Sequence, residues 1–253
     1  MEAGAREMLM HNPRVRRFRH FWRALPGHPR CKMCTAPMGG SVGTVLRLVG
    51  KGPWPGNPKY CRWCFKSIYT HRAGAEVECT LLFADIRGST EMAEQMEPRE
   101  FRAALDRFYA IAEADLIEHD AFVDKFVGDE VIGIFIPALA GPAHARRAVD
   151  AGLQLLRSTG HRADGLAWAA VGIGINTGVA YVGAVGTEDH VEFTALGDAV
   201  NVAARLASAA GAGEVLVAEA TARAAQLQDS GFVHRQLELK GKSGVTDVRV
   251  LTI

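Results

Sequence analysis

Asp85, Asp129 and two cysteine pairs, Cys31-Lys-Met-Cys34 and Cys61-Arg-Trp-Cys64, are the residues whose types and spacing carry chemistry in this chain. Asp85 closes the apolar run LLFAD and is followed by RGST, which reads as a helix start, so its carboxylate stands beside free backbone N–H groups. Such a junction suits a phosphate-bound metal: the carboxylate holds the cation and the amides hold the anion. An aspartate before a helix reads equally well as a cap. Asp129 lies in DKFVGDEVIGIFI, residues 124–136, where Gly128-Asp129 has the form of a two-residue hairpin turn. Taken alone, Asp129 is a turn residue. If the first strand pairs with this hairpin, the two carboxylates converge. Adjacent carboxylates repel, and a divalent cation is the usual remedy.

Each C-x-x-C sets two thiolates on one tight knuckle, and two knuckles make a closed tetrahedral site. Zn²⁺ is the expected ion, ahead of an iron–sulfur cluster or redox dithiols. With four protein ligands no coordination position stays open, so the expected role is structural. The segment between the pairs is rich in Gly and Pro and too short to bury a core unaided; metal is expected to supply its folding energy. Cys79 stands alone in an apolar strand and reads as core.

The elements that must position these groups are legible in outline. Asn12-Pro13 reads as an N-cap and N1 proline. Val15, Phe18, Phe21, Trp22 and Leu25 then fall at helical spacing, with Arg16, Arg17, Arg19 and Arg23 elsewhere on the wheel and Pro26-Gly27 as the stop. Such a basic amphipathic helix either lies on a lipid surface or, more commonly, packs with its arginines facing water. From residue 76 the reading is strand 76–86, helices 90–96 and 98–119, hairpin 122–136, helix 142–158 and a second hairpin 169–185 turning at Asn176-Thr177-Gly178. Helix 198–210, strand 213–217, helix 220–228 and two strands within 232–253 complete it. Helices interleaved with antiparallel hairpins predict an α+β fold, a sheet covered on one face by helices.

The 253 residues suffice for one sizeable domain plus a small module, and 48% apolar composition predicts a real core. The net charge of +1 hides a split. Residues 1–75 hold 14 basic against 2 acidic residues, +12, and residues 76–253 carry −11. This places a boundary near Gly74: a basic N-terminal helix and zinc-binding module over 1–75, then a second domain over 76–253. The basic part has the charge to bind nucleic acid or an anionic membrane, or to dock on its own acidic domain; no repeated basic motif argues for DNA. MEAGAREMLM has no signal pattern and no segment reaches the length of a membrane span, so a cytoplasmic location with reduced cysteines is expected.

LLFADIRGST, KFVGDEVIGIF, VGIGINTG, FTALGDAVNVAARL and LKGKSG resemble, in that order, the motifs of class III nucleotidyl cyclases, over residues 76–253. Five ordered motifs are far more specific than any single one. The resemblance implies a ferredoxin-like, palm-type antiparallel sheet with helices, and a dimer whose active sites lie at the interface. It implies that Asp85 and Asp129 bind two Mg²⁺ or Mn²⁺ ions, with Ile86 as a further metal contact. It assigns the segment Ile86, Arg87, Gly88, Ser89 and Thr90 to the triphosphate, Lys125 to adenine, Asn201 to the ribose, Arg205 to the transition state and Lys240 to the terminal phosphates. Many members carry an aspartate as second base reader; this sequence has Thr194, as does a subgroup that includes bicarbonate-responsive members.

Elementary chemistry agrees with ATP as substrate. Adenine N1 accepts, and the ammonium of Lys125 only donates; guanine N1 carries a proton and would meet it donor to donor. The Thr194 hydroxyl can accept from the adenine amino group. Asn201 and Arg205 stand at i and i+4, on one helical face. The expected activity is conversion of ATP to 3′,5′-cyclic AMP and pyrophosphate by a homodimer. Competing readings are a catalytically silent nucleotide-binding sensor, a zinc-dependent nucleic-acid-binding protein and, more weakly, a diguanylate cyclase, whose turn VGDEV is similar to.

Overall fold

The computed structural model describes residues 2–55, 57–71, 74–161, 167–187, 191–228, 232–238 and 245–253. The chain first forms α1 (Glu2–Met10), α2 (Pro13–Ala24), α3 (Gly40–Leu48), β1 (Pro53–Trp54), β2 (Asn57–Cys61) and α4 (Arg62–His71). There follow β3 (Ala75–Ile86), α5 (Ser89–Gln95), α6 (Pro98–Glu118), β4 (Phe122–Val127), β5 (Glu130–Phe135), α7 (Pro137–Ala140) and α8 (His144–Ser158). The remainder is β6 (Val171–Gly186), β7 (Val191–Leu196), α9 (Asp198–Ala209), β8 (Val215–Ala218), α10 (Glu219–Ala224), β9 (Val233–Glu238) and β10 (Val245–Leu251). Two compact units result. One comprises Met1–Val77, Pro137–Gly141 and Tyr181–Ala195; the other comprises Glu78–Ile136, Pro142–Ala180 and Leu196–Ile253. Among the described residues no helix is long and apolar enough to cross a membrane.

The second unit is the predicted α+β fold. Its sheet runs in the order β4-β5-β3-β6-β8-β10-β9. The pairs β4–β5, β3–β5, β8–β10 and β9–β10 are antiparallel, and β6–β8 is parallel. The first strand does pair with the hairpin: Thr80 to Asp85 of β3 lie opposite Phe135 to Glu130 of β5. A near-continuous apolar run suits β3, which is buried from Cys79 to Ala84.

The alternation in VGIGI decides how helices cover this sheet. Val171, Ile173 and Ile175 are fully buried, and Ile173 and Ile175 touch α8 at Gly152. Gly172 and Gly174 point the other way and lie under α9, whose backbone comes so close that a Cβ on Gly174 would sit 2.1 Å from the amide nitrogen of Ala207. Helices therefore cover both faces of the sheet at β6, not one as the sequence reading predicts. The second predicted hairpin is also corrected. Asn176-Thr177-Gly178 does not turn; β6 runs straight through it for 16 residues. The polar side chains that suggest a turn bond within the core instead. Asn176 donates to the Ala199 carbonyl at 2.9 Å, and Thr177 shares a hydrogen bond with Thr80, which in turn bonds His144 Nδ1 at 2.8 Å.

The first unit contains more helix than the sequence reading predicts, with α1, α3 and α4 beside the expected α2. Asn12 caps α2 by accepting from the Val15 amide at 3.1 Å, with Pro13 at the first helical position. The predicted apolar face is partly inverted. Trp22 packs against the cysteine core, but Phe18 and Phe21 are exposed, while Arg19 is only 1% exposed. The burial of Arg19 is stabilised by carbonyls: its Nη1 donates to Met33 O at 2.5 Å and Lys32 O at 3.5 Å, inside the first cysteine knuckle.

A substitution at Gly174 tests the two-sided packing. Gly174→Ala is expected to destabilise the chain by about 1–3 kcal/mol or more, because helix backbone, not a movable side chain, occupies the space. Gly128→Ala, at a turn residue with φ 62° and open space around it, is expected to cost only about 1–2 kcal/mol, from its backbone conformation alone. Equilibrium urea unfolding of both variants checks the ranking.

Candidate active site and thiolate cluster

Strand pairing brings Asp85 and Asp129 together. Asp85 ends β3 opposite Glu130, and Asp129 is the second residue of the Gly128-Asp129 turn between β4 and β5. Gly128 takes the positive φ at the first central position, as a tight hairpin turn requires. The Asp129 carbonyl accepts from the Ile86 amide at 3.4 Å, which ties the turn to the end of β3. The Tyr109 hydroxyl on α6 donates to the Gly128 carbonyl while its ring stacks on Phe126, centroids 4.5 Å apart. The turn is thus held from two sides.

The two carboxyl groups are near enough to shift each other's ionisation in opposite directions. Burial, the hydrogen bond to Asp129 and the charges of Asp129 and Glu130 outweigh the Arg87 guanidinium and push Asp85 up to about 7. Burial pushes Asp129 up too, but hydrogen bonds from Asp85, from the Ser89 hydroxyl and from its own amide outweigh this and hold it below its ordinary value. Burial, then the charge of Asp129, raises Glu130. Such a pair does not readily ionise twice by itself, and a donor set of two carboxylates at one point fits a hard divalent cation. Here the Arg87 guanidinium serves as counter-ion to Asp85. Its Nη1 also donates to the Ser208 carbonyl at the end of α9, at 3.1 Å, while its buried Nε has no hydrogen-bond partner. Gly172 leaves room for that side chain, since a Cβ there would lie 3.2 Å from Nε.

The other predicted residues divide by location. The Ile86 amide is committed to Asp129 and the Arg87 amide to Ala170 O at 2.6 Å. Gly88, Ser89 and Thr90, at the start of α5, are the part of the predicted triphosphate segment whose amides the strand pairing does not use. Lys125 lies in β4, where the ladder slips between Val123 and Phe126; it is half-buried, with Nζ 3.7 Å from Asp124. Asn201 and Arg205 share one face of α9, Asn201 exposed and Arg205 half-buried, while Val202, Ala203 and Leu206 are buried beneath them. Among the described residues no side-chain hydrogen bond or ion pair joins either to Asp85 or Asp129. Thr194 is buried on β7 and belongs to the first unit. Lys240 lies outside the described residues. The sequence reading missed Tyr109 and the ion pair of Arg87 with Asp85. No local pattern marks Tyr109, because its partner stands 19 residues away; Arg87 is visible only as a basic residue beside a carboxylate.

In the first unit the four cysteines converge. The sulfur atoms of Cys31, Cys34, Cys61 and Cys64 all lie within 4.8 Å of one another. Cys34 and Cys61 are 3.8 Å apart, which matches the edge of about 3.8 Å that a tetrahedral site with Zn–S bonds of about 2.3 Å requires. The Cys61 amide donates to Cys31 Sγ at 3.2 Å. Hydrogen bonding within the cluster pulls Cys31 and Cys61 down and pushes Cys34 and Cys64 up: four thiols this close do not ionise together without a cation among them. Cys79 is plain core, its thiol pushed up to about 12, chiefly by burial.

Comparison with known proteins places this geometry. Residues 72–251 match the family described as Adenylate and Guanylate cyclase catalytic domain. The chain is 34% identical, over 177 residues and 67% of its length, to the terminal-differentiation-specific adenylate cyclase of Dictyostelium discoideum. It spans between 8% and 26% of the lengths of the first three curated relatives it matches. Among solved structures it is similar to the guanylyl cyclase Cya2 (28% identity, TM-score 0.62, 70% of this chain and 92% of that one). It is equally similar to the adenylyl cyclase CyaB from P. aeruginosa (28% identity, TM-score 0.61, 71% and 96%). With most of its length inside the family match, and two carboxylates brought together by the pairing of β3 with β5, the chain belongs to the adenylate and guanylate cyclase catalytic domain family.

Proposed function

We propose that this chain is an adenylate cyclase, converting ATP to 3′,5′-cyclic AMP and pyrophosphate in a homodimer, with residues 76–253 as the catalytic domain. The observation that carries the proposal is the meeting of Asp85 and Asp129 at the end of β3, in a pair that resists double ionisation. These carboxylates, with Ile86, would hold two Mg²⁺ or Mn²⁺ ions. Bound there, the metal supplies Lewis-acid chemistry, lowering the pKa of the ribose 3′-hydroxyl and neutralising the leaving phosphates.

The chain's own residues supply the remainder. The segment 86–90 receives the triphosphate, with residues 88–90 the better placed since the amides of Ile86 and Arg87 are already engaged. Lys240 reaches the terminal phosphates. Lys125 donates to adenine N1 and Thr194 accepts from the exocyclic amine, which selects ATP over GTP by donor–acceptor match. Asn201 orients the ribose so that its 3′-oxygen attacks the α-phosphorus in line. Arg205 faces the charge that develops on the α-phosphoryl oxygens. The exposed face of α9 carries Asn201 with no bond to the aspartates of its own chain, which supports a site shared between two subunits.

Residues 1–75 are proposed as a module folded around Zn²⁺ held by Cys31, Cys34, Cys61 and Cys64. The sulfur spacing and the Arg19 clasp on the first knuckle support it.

Purified chain incubated with ATP or GTP and Mn²⁺ or Mg²⁺ is expected to yield cyclic AMP in preference to cyclic GMP, resolved by chromatography. Asp129→Ala is expected to abolish product, and Arg205→Ala to lower kcat on the order of 10³-fold. Mixing Asp85→Ala with Arg205→Ala chains is expected to restore roughly a quarter of the wild-type sites, one per mixed dimer. Absence of any cyclic nucleotide from the wild-type protein would refute the activity; absence of recovery in verified mixed dimers would refute the shared site.

For the module, metal analysis is expected to find about one Zn²⁺ per chain, and none in Cys61→Ser. Chelation is expected to unfold residues 1–75, seen as a rise in tryptophan emission wavelength. A wild-type chain purified under reducing conditions without bound metal would sink the zinc assignment.

A further inference from the structure

The thiolate module presents a surface that the cyclase reaction leaves unused. Val45, Leu48 and Val49 follow helical spacing along α3 and its C-terminus and are 61%, 84% and 60% exposed. Beside them Trp63, the second residue of α4, is 58% exposed, its indole nitrogen close to Gly50. Four large apolar side chains exposed within 19 residues form a patch that a small module does not leave open by default. An open cavity of about 310 Å³ lies in the same segment, lined by Arg47, Gly52, Pro53 and Arg62. The fold holds this arrangement in place. The Arg62 amide donates to Gly52 O at 2.9 Å, and Arg47 Nη2 donates to Met38 O at 3.0 Å. The buried Lys51 sets its ammonium over the rings of Trp22 and Trp63, at 4.9 and 4.6 Å, and so fixes the indole at the rim.

We propose that this face docks the chain on an anionic lipid surface, with a lipid phosphate in the Arg47–Arg62 cavity and Leu48, Val49 and Trp63 in the interfacial layer. Charge complementarity selects the occupant. Residues 1–75 carry 14 basic against 2 acidic residues, and no acid lies between residues 8 and 75, so the segment that forms the patch is cationic throughout. A nucleic acid uses such charge but leaves three aliphatic side chains in water. A second copy docked through the same patch buries the aliphatics but brings cationic residues against cationic residues. A bilayer surface of anionic headgroups satisfies both, and stable docking takes two such signals at once. Trp63 suits the boundary, its ring apolar and its N–H free to face the headgroups.

Flotation of the full, metal-loaded chain with vesicles tests this. Binding is expected to vesicles of equimolar phosphatidylcholine and phosphatidylglycerol, and not to phosphatidylcholine alone. Arg62→Gln is expected to weaken partitioning about fivefold. Leu48→Ser/Val49→Ser is expected to weaken it roughly tenfold or more, with metal content and thermal unfolding unchanged. Failure to bind anionic vesicles at low salt would overturn the proposal. So would undiminished binding by the serine variant, which would mean charge alone; phosphate binding without vesicle binding; or a change of oligomeric state in the serine variant without loss of vesicle binding, which would assign the patch to a second copy.

Discussion

Two carboxyl groups that repel each other are held at one point by a backbone that gives them no escape. The antiparallel pairing of β3 with β5 sets the register, and register fixes which side chains meet. A slip by one residue would turn every side chain of β3 to the opposite face and lose the approach of Asp85 to Asp129. The burial that makes β3 a good strand is therefore the same burial that makes its terminal aspartate reluctant to ionise. On the proposed function, stability and reactivity would share one ladder, and a bound divalent cation would reconcile them.

The surrounding structure is arranged around that conflict. Tyr109 holds the turn from α6 and the Ile86 amide holds it from β3, so Asp129 cannot relieve the repulsion by moving its backbone. Arg87 pairs with Asp85 and joins it to the end of α9. Glycines 172 and 174 let α9 lie directly on β6, and Gly172 leaves space for the Arg87 side chain. The helix carrying Asn201 and Arg205 is thereby packed directly on the sheet whose strand β3 ends in Asp85. Close packing of backbone on backbone leaves less freedom than side-chain contact does.

The cysteine cluster repeats the logic with thiols. The sulfur atoms sit in a small core with Ala36, Met38 and Leu46, and the polar clasp of Arg19 and Thr35 closes around the first knuckle. Arg19 is a buried cation that donates to two backbone carbonyls. Carbonyls of a tight knuckle have few other partners, and a guanidinium with several donors satisfies more than one of them.

The sequence by itself displayed the candidate chemical groups and much of the local structure. Asp85 after an apolar strand, Asp129 in a two-residue turn, the i, i+4 pair Asn201 and Arg205 and the two C-x-x-C knuckles are all set by short-range rules, which composition and spacing express. The five ordered motifs were likewise visible, and with them the family. Only the tertiary structure decided what those groups meet. It made Asn176-Thr177-Gly178 pass straight through a strand, because long-range hydrogen bonds to Ala199 and Thr80 outweigh local turn preference. It put Arg19 inside and Phe18 outside α2, because what a helix face meets depends on the partner packed against it, which the helix's own periodicity does not record. It set helices on both faces of β6 and brought Tyr109 to Gly128, contacts between segments whose separation along the chain carries no local signal. Local propensity is written in neighbouring residues; burial and charge pairing are decided by residues that only folding makes neighbours.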